Sequence, residues 1–248
     1  MFMRFLHSDF LKIKRSPILW VHIFVPLAGI ILFLFPCFLK PKYAASIGGD
    51  MLGAIAVAFP TLIGLVCSMT AEQESGAGNF QELLTKSSRL IPFFSMTFML
   101  LLLGLLASLL ALYGVDGGLA AFFHTTQFGP DFYLLGALLI FGSNLFIYMF
   151  HIFLSFRFNG SVSIGVGITE SMLSCLLVTG LGDGIWIFIP CAWGARFTDM
   201  FIHKSFGERI TAASQLNAGV TLCCIETALI FAFSIIWFLR WEGKKTEE

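Results

Sequence analysis

Charge is what this sequence holds least of. Asp, Glu, Lys and Arg make up 12% of its 248 residues against 57% apolar residues, and the formal net charge is zero. A soluble chain of this length needs far more polar surface to cover its core. With a mean hydropathy of +0.87, the protein is integral to a membrane. The absence of net charge also removes the basic field that nucleic-acid binding exploits. Proline and glycine are scattered without repeat or low-complexity tract, and nothing marks off a second domain. Phosphate-binding machinery is missing. The pattern G-x-x-x-x-G-K-[ST] occurs nowhere, so the chain does not hold ATP in a P-loop. H-E-x-x-H and G-x-S-x-G are missing too, and with them zincin and serine-hydrolase chemistry. The six cysteines form no C-x-x-C and have no histidine at metal spacing, which reads as packing. No cleavable signal peptide is expected: the basic start runs into about twenty apolar residues, too long for a signal core, and no A-x-A site follows.

Long apolar runs are what the sequence does have. Six reach the length that about 30 Å of hydrocarbon demands: 18–39, 51–69, 90–113, 132–156, 161–181 and 218–239. The expected fold is therefore all-α, six transmembrane helices in one domain over 1–248. Ahead of the first span, residues 1–16 set Phe2, Phe5, Leu6, Phe10 and Ile13 at helical spacing among Arg4, Lys12, Lys14 and Arg15, which suggests an interfacial helix. Residues 182–193 are awkward. Ile185–Trp193 is too short to cross and contains Pro190 and two tryptophans, so 182–193 reads as a re-entrant or interfacial outer segment. Residues 40–50, 114–131 and 194–217 are then outer loops, and 157–160 is an inner turn. This topology puts Arg4, Lys12, Lys14, Arg15, Lys86, Arg89, Arg157, Arg240, Lys244 and Lys245 inside, with both termini. Lys40, Lys42, Arg196, Lys204 and Arg209 fall outside. The positive-inside rule favours that orientation.

The polar island Thr70–Arg89, TAEQESGAGNFQELLTKSSR, lies between spans two and three. Asn79 followed by Glu82 has the spacing of a helix-start capping box. Phe80, Leu83 and Leu84 then fall on one helical face. Such a helix, tied to a span at each end, suits taking force from a cytoplasmic partner; the alternative is a helix resting on lipid headgroups. Two carboxylates, Glu170 and Glu226, fall inside spans, where a charge is expensive and either serves a function or glues helices together. Gly160, Gly165 and Gly167 before Glu170 would permit close helix packing.

The interfacial helix, six spans, cytoplasmic helix and broken segment before the last span resemble ABC-2-type exporter permeases. Glu72-Gln73-Glu74, Gly76, Asn79-Phe80-Gln81, Leu83-Leu84, Gly182-Asp183-Gly184-Ile185-Trp186 and Ile189-Pro190-Cys191 through Trp193 resemble the permease subunits of lantibiotic-immunity transporters, the MutG type. The resemblance implies a non-catalytic subunit in the cell membrane. It would work with an ABC ATPase that binds ATP and Mg, and with a second six-span permease, to expel a lantibiotic peptide; no cofactor is implied in this chain. It makes 70–89 a coupling segment, with Phe80, Leu83 and Leu84 docking in the ATPase and Glu72, Glu74 and Arg89 at the rim. Asp183, Trp186 and Trp193 become candidate peptide contacts, with Phe188, Asp116, Asp131 and Asp199 nearby, though an ordinary aromatic belt with solvated acids reads equally from these residues. Two alternatives remain. One is an intramembrane protease-like protein, for which Glu72 and Glu74 are split, position 78 is Gly and His151 lacks a second histidine. The other is a proton-coupled secondary transporter using Glu170 and Glu226.

Overall fold

The computed structural model describes residues 2–14, 16–85, 89–125, 128–208 and 213–243, and those residues form helices and turns with no strand among them. Helix α1 (Phe2–Lys14) precedes α2 (Pro17–Leu39). Ser16 starts α2, its Oγ accepting from the Ile18 amide at 3.2 Å, and Pro17 takes the first helical position, where a missing N–H is harmless. A 3-10 turn, Pro41–Ala45, leads into α3 (Ile47–Gly76), the short α4 (Gln81–Leu84) and α5 (Leu90–Phe123). Helices α6 (Pro130–Ser143) and α7 (Leu145–Arg157) follow, bent by 45° at Asn144. Then come α8 (Gly160–Leu177), 3-10 turns at Gly180–Gly182 and Trp186–Phe188, α9 (Pro190–Ser205), a 3-10 turn at Ala213–Gln215 and α10 (Leu216–Arg240). Five helices are long and apolar enough to cross a membrane, or six when the bent α6–α7 pair counts as one span.

Those six correspond to the six expected spans, with different limits. At 1.5 Å per residue α3 is about 45 Å long, against about 30 Å of hydrocarbon. Its last two turns are Thr70–Gly76, which the sequence suggested as the start of a separate polar segment. Similarly, α5 runs on to Phe123, so Gly114–Phe123, expected as loop, is helix. The largest correction is at 190–205. The last residues of the expected outer segment and the first part of the expected polar loop fold as α9, buried continuously from Cys191 to Thr198 and packed on α3, α6 and α8. Arg196, which suggested a loop, is satisfied inside: its Nε donates to Leu177 O at 2.5 Å, and its Nη2 to Thr179 O at 2.5 Å and to Asp183 Oδ1 at 2.8 Å. The bend at Asn144 has a similar cause. The fully buried Asn144 donates Nδ2 to Ile140 O at 2.8 Å, taking a helical carbonyl, while Gly194 of α9 sits against it.

Helix α3 is the axis of the bundle, 56% buried over its span against 22% for α2 and 17% for α10. Its most extensive partner is α8. Lipid offers helices no hydrophobic drive to associate, so contact rests on small residues and hydrogen bonds. Both are present. A Cβ on Gly64 would lie 2.8 Å from Ser163 O, and one on Gly167 would lie 2.8 Å from Pro60 O. Pro60 interrupts the α3 ladder, and beside it Thr61 turns to α8: its amide donates to Ser171 Oγ at 3.1 Å, and its Oγ1 lies 3.1 Å from Gly167 O and 2.8 Å from Ser171 Oγ. Gly167→Leu is expected to destabilise detergent-solubilised protein by about 1–3 kcal/mol, read as a lower thermal midpoint. Gly165→Leu, two residues away with nothing within 4 Å of its Cβ, is expected to leave the midpoint unchanged.

Candidate coupling site at the basic end of the bundle

The polar segment after α3 reverses direction through three successive residues with positive φ: Gly78 (136°), Asn79 (50°) and Phe80 (65°). Glycine tolerates this; a phenylalanine there costs about 1–3 kcal/mol. Burial offsets the strain. Phe80 is 0% exposed, its ring 4.9 Å from that of Trp241 and 5.3 Å from that of Phe156. Burying such a side chain is worth about 1.5–3 kcal/mol. Phe93 and Phe238, stacked at 4.4 Å, and Trp237 extend the cluster. The turn after α3 is thus latched to the end of α7, the start of α5 and the tail of α10.

Polar contacts repeat that closure. Arg89 Nη1 donates to Trp241 O at 3.2 Å and lies 3.5 Å from Leu239 O, so a cation sits on the carbonyl end of α10. Lys12 Nζ of α1 donates to Glu74 Oε1 at 3.0 Å, and Ser95 Oγ of α5 donates to the buried Asp9 of α1 at 2.5 Å. Helix α1 is therefore bracketed onto α3 and α5. Its other face keeps Met3 and Leu11 exposed, as an interfacial helix would.

Several expectations for this segment need correction. Asn79 does not cap a helix: α4 begins after Phe80, no side chain caps it, and the Glu82 side chain lies outside the described residues. Phe80 and Leu83 face inward, and half-buried Leu84 packs beside Gly243, so they do not form an open docking face. Glu74 and Arg89 are engaged within the chain, which leaves Glu72, exposed near the start of α8, available at the rim. Gly76, Ala77, Gly78, Asn79, Gln81 and Thr85 are the exposed surface of the turn. Arg15, Lys86, Arg209, Lys244 and Lys245, which enter the charge argument, lie outside the described residues.

Within the spans, Glu170 has a partner that the sequence left unpaired. His151 of α7, fully buried, places Nε2 2.8 Å from Glu170 Oε2 and Nδ1 2.8 Å from Ser163 Oγ. Ser163 Oγ donates to Gly64 O at 3.1 Å, so it accepts from Nδ1–H, and one proton is shared between Nε2 and the carboxyl. The trio has the residue types of a hydrolase triad but the wrong polarity. The serine proton points at a carbonyl, and the hydroxyl is sealed from any substrate. Glu226 sits half-buried on α10 with no hydrogen-bond partner among the described residues, and no hydrogen-bonded chain joins it to Glu170 there. The clue to the Glu170 partner was available: a tight turn at 157–160 brings His151 to within about one helical turn of Glu170's level.

The other end of the bundle also departs from expectation. Trp186 and Trp193 are completely buried, their indole N–H groups donating to Gln215 Oε1 at 2.6 Å and to Ile187 O at 3.0 Å. They are structural pins for the stretch before α9 and touch no solvent. Asp183 is exposed but neutralised by Arg196. Asp199 faces His203 at 3.4 Å, and His203 also meets Glu208 at 2.5 Å. Phe188 is exposed.

The chain is thus an all-helical, multi-pass membrane protein with a polar turn latched between its spans. Residues 5–175, well over half of its length, match the family model described as ABC-2 family transporter protein, and the chain belongs to that family. It is a membrane permease of an ABC transporter, whose partner is an ABC ATPase. No curated protein and no solved structure matches it.

Two measurements probe this geometry. Lys12→Ala leaves the buried Glu74 without its half-buried cation, and limited proteolysis of membranes is expected to cut at the α1–α2 junction faster than in the unaltered protein. The His203 pKa is raised, first by its hydrogen bond to Glu208 and then, against burial, by Asp199. Its contribution to order is therefore complete below the unfolded value near 6.5 and lost as pH rises through the higher folded value. A proton NMR titration of the His203 ring should place its midpoint above 6.5, and Glu208→Gln should bring it down.

Proposed function

We propose that this chain is one of two different permease subunits of an ATP-driven exporter that expels a lantibiotic from the membrane of the cell that makes it, giving self-protection. Membership of the ABC-2 transporter family supports the transport role. The observation that carries the coupling scheme is the Phe80 latch: a polar turn, strained at its hinge, held in an aromatic cluster that joins α5, α7 and α10. The lantibiotic assignment rests on the local strings from Glu72 to Leu84 and from Gly182 to Trp193.

In this scheme both termini are cytoplasmic and the protein resides in the plasma membrane. The ATPase holds ATP and Mg, and this chain needs no cofactor. The ATPase bears on the exposed turn, Ala77 to Asn79 with Gln81 and Glu72. Phe80 and Leu83 pass displacement inward to Phe156 and Trp241 instead of docking themselves. Displacement of the end of α3 then travels along the most buried helix of the bundle to the α3–α8 seam. A second permease with its own turn would occupy the other half of the ATPase dimer. The peptide meets the end of the bundle opposite the turn, where Phe188 is exposed beside the Asp183–Arg196 pair.

Ala77→Trp and Gln81→Arg are expected to reduce ATP-dependent protection against a cationic lantibiotic at least about tenfold, with unchanged membrane levels, in cells expressing the chain with its ATPase and second permease. A cysteine at Asn79 should cross-link to the ATPase. Labelling of that cysteine from outside intact cells by a membrane-impermeant maleimide would rule the coupling scheme out, because no cytosolic motor could reach it. Loss of the chain without loss of lantibiotic resistance would remove the proposed cargo and leave the coupling scheme standing.

A further inference from the structure

An elongated cavity of about 340 Å³ lies between α2, α3 and α5, well away from the coupling turn. Its floor is α5 at Gly104, Ser108 and Ala111. Its mouth opens between α2 and α3 beside the exposed Leu32 and Ala58, onto the surface that the membrane covers. Along α2 it extends from Val21 to Phe33, about 18 Å at 1.5 Å per residue, close to the depth of one leaflet in a core about 30 Å thick. The slot is long and lined almost wholly by apolar side chains, which suits an extended alkyl chain.

The walls are apolar except at one end. His22 Nδ1 lies 2.8 Å from Ile18 O; the carbonyl can only accept, so Nδ1 carries the proton, and in the uncharged ring Nε2 is an acceptor. Neither Nε2 nor the Tyr148 hydroxyl has a hydrogen-bond partner among the described residues, and both residues line the cavity while more than nine-tenths buried. Ser108, by contrast, is spent on Gly104 O at 2.9 Å. The two free groups share a level. Ile30 fills the space over Gly114 and Leu34 that over Gly118, so α2 and α5 run parallel in constant register. That register sets Gly104, which the Tyr148 hydroxyl covers, about 3 Å in height from His22. One acceptor and one donor at the same level of the slot suit a ligand hydroxyl, which both donates and accepts.

We infer that this slot binds a membrane glycerolipid that keeps a free glycerol hydroxyl, such as a monoacylglycerol, with one acyl chain along α2 and that hydroxyl at the level of His22 and Tyr148. The bound lipid fills a void that would otherwise separate α2 from the axis helix α3, and so couples their positions. The site is independent of what the permease carries.

The test uses full-length protein in phosphatidylcholine nanodiscs and a monoacylglycerol bearing a diazirine on its acyl chain. Photo-adducts are expected on α2 and α3 residues lining the slot, notably Phe33, Met51 and Ile55. Ala58→Trp and Ala54→Trp, both small exposed residues at the mouth, should reduce labelling about tenfold with an unchanged size-exclusion profile. His22→Phe and Tyr148→Phe should each weaken competition by unlabelled monoolein about tenfold, the worth of a lost hydrogen bond, and leave competition by hexadecane unaltered. Adducts spread evenly over α10 and the other outward helices, indifferent to the tryptophans, would mean ordinary annular lipid and overturn the inference. So would an unlabelled slot together with disulfide-linked dimers of a Leu32→Cys variant, which would mean that protein covers the mouth.

Discussion

Helices α3 and α8 approach so closely at Gly64 and Gly167 that a single added carbon would collide with backbone oxygen, and the arrangement of the spans follows from that contact. In a membrane the usual drive for burial is absent, so helices are held by fit and by polar groups that have nowhere else to bond. The seam supplies both: glycines allow the approach, and Thr61, Ser171, Ser163 and the paired His151 and Glu170 bond across it. Because His151 comes from α7, the network fixes a third helix against the first two. Helix α9 then fills the angle between α3, α6 and α8, and the bend at Asn144 makes room for it.

At the basic end, aromatic packing takes over from hydrogen bonding. The segment between α3 and α5 is too short and too polar to hold itself. It is held by Phe80, whose unfavourable backbone is tolerated because its ring completes a cluster with Phe156 and Trp241. Arg89 and Lys12 close the same region from either side. For an ABC permease this has mechanical sense. In the proposed coupling scheme the surface on which the ATPase pushes must be joined stiffly to the spans, and this turn is joined to several at once.

The sequence made the membrane class and the six spans legible, because hydropathy over twenty residues is a strong signal, and it set residues 70–89 apart because a polar island within it is conspicuous. Helix ends were less so. Thr70–Gly76 and Gly114–Phe123 are polar or small enough to read as loop, yet they continue helices whose cores are set by neighbours. Helix α9 was hidden because Arg196 and Thr198 suggest solvent; only the carbonyls of Leu177 and Thr179, released where α8 ends, make the arginine at home inside. The direction in which Phe80, Leu83 and Leu84 face was likewise out of reach. A one-sided apolar pattern shows that a face is buried, and it does not say whether the burial is against the same chain or a partner. Trp186 and Trp193 were misread for the same reason.

The length of α5 has a consequence for the host bilayer. Its apolar stretch from Leu90 to Tyr113 is about 36 Å long, several ångströms more than typical hydrocarbon, and its neighbours α2 and α3 lie parallel and antiparallel to it. Standing upright, such a helix would force the lipid to thicken; leaning by roughly 30° it fits, within the ordinary range of inclination. The contacts of Ile30 and Leu34 with Gly114 and Gly118 oblige α2 to lean with it. Acyl-chain length in the host membrane therefore bears on the bundle's posture, with thin bilayers pressing these helices flatter and thick ones drawing them erect.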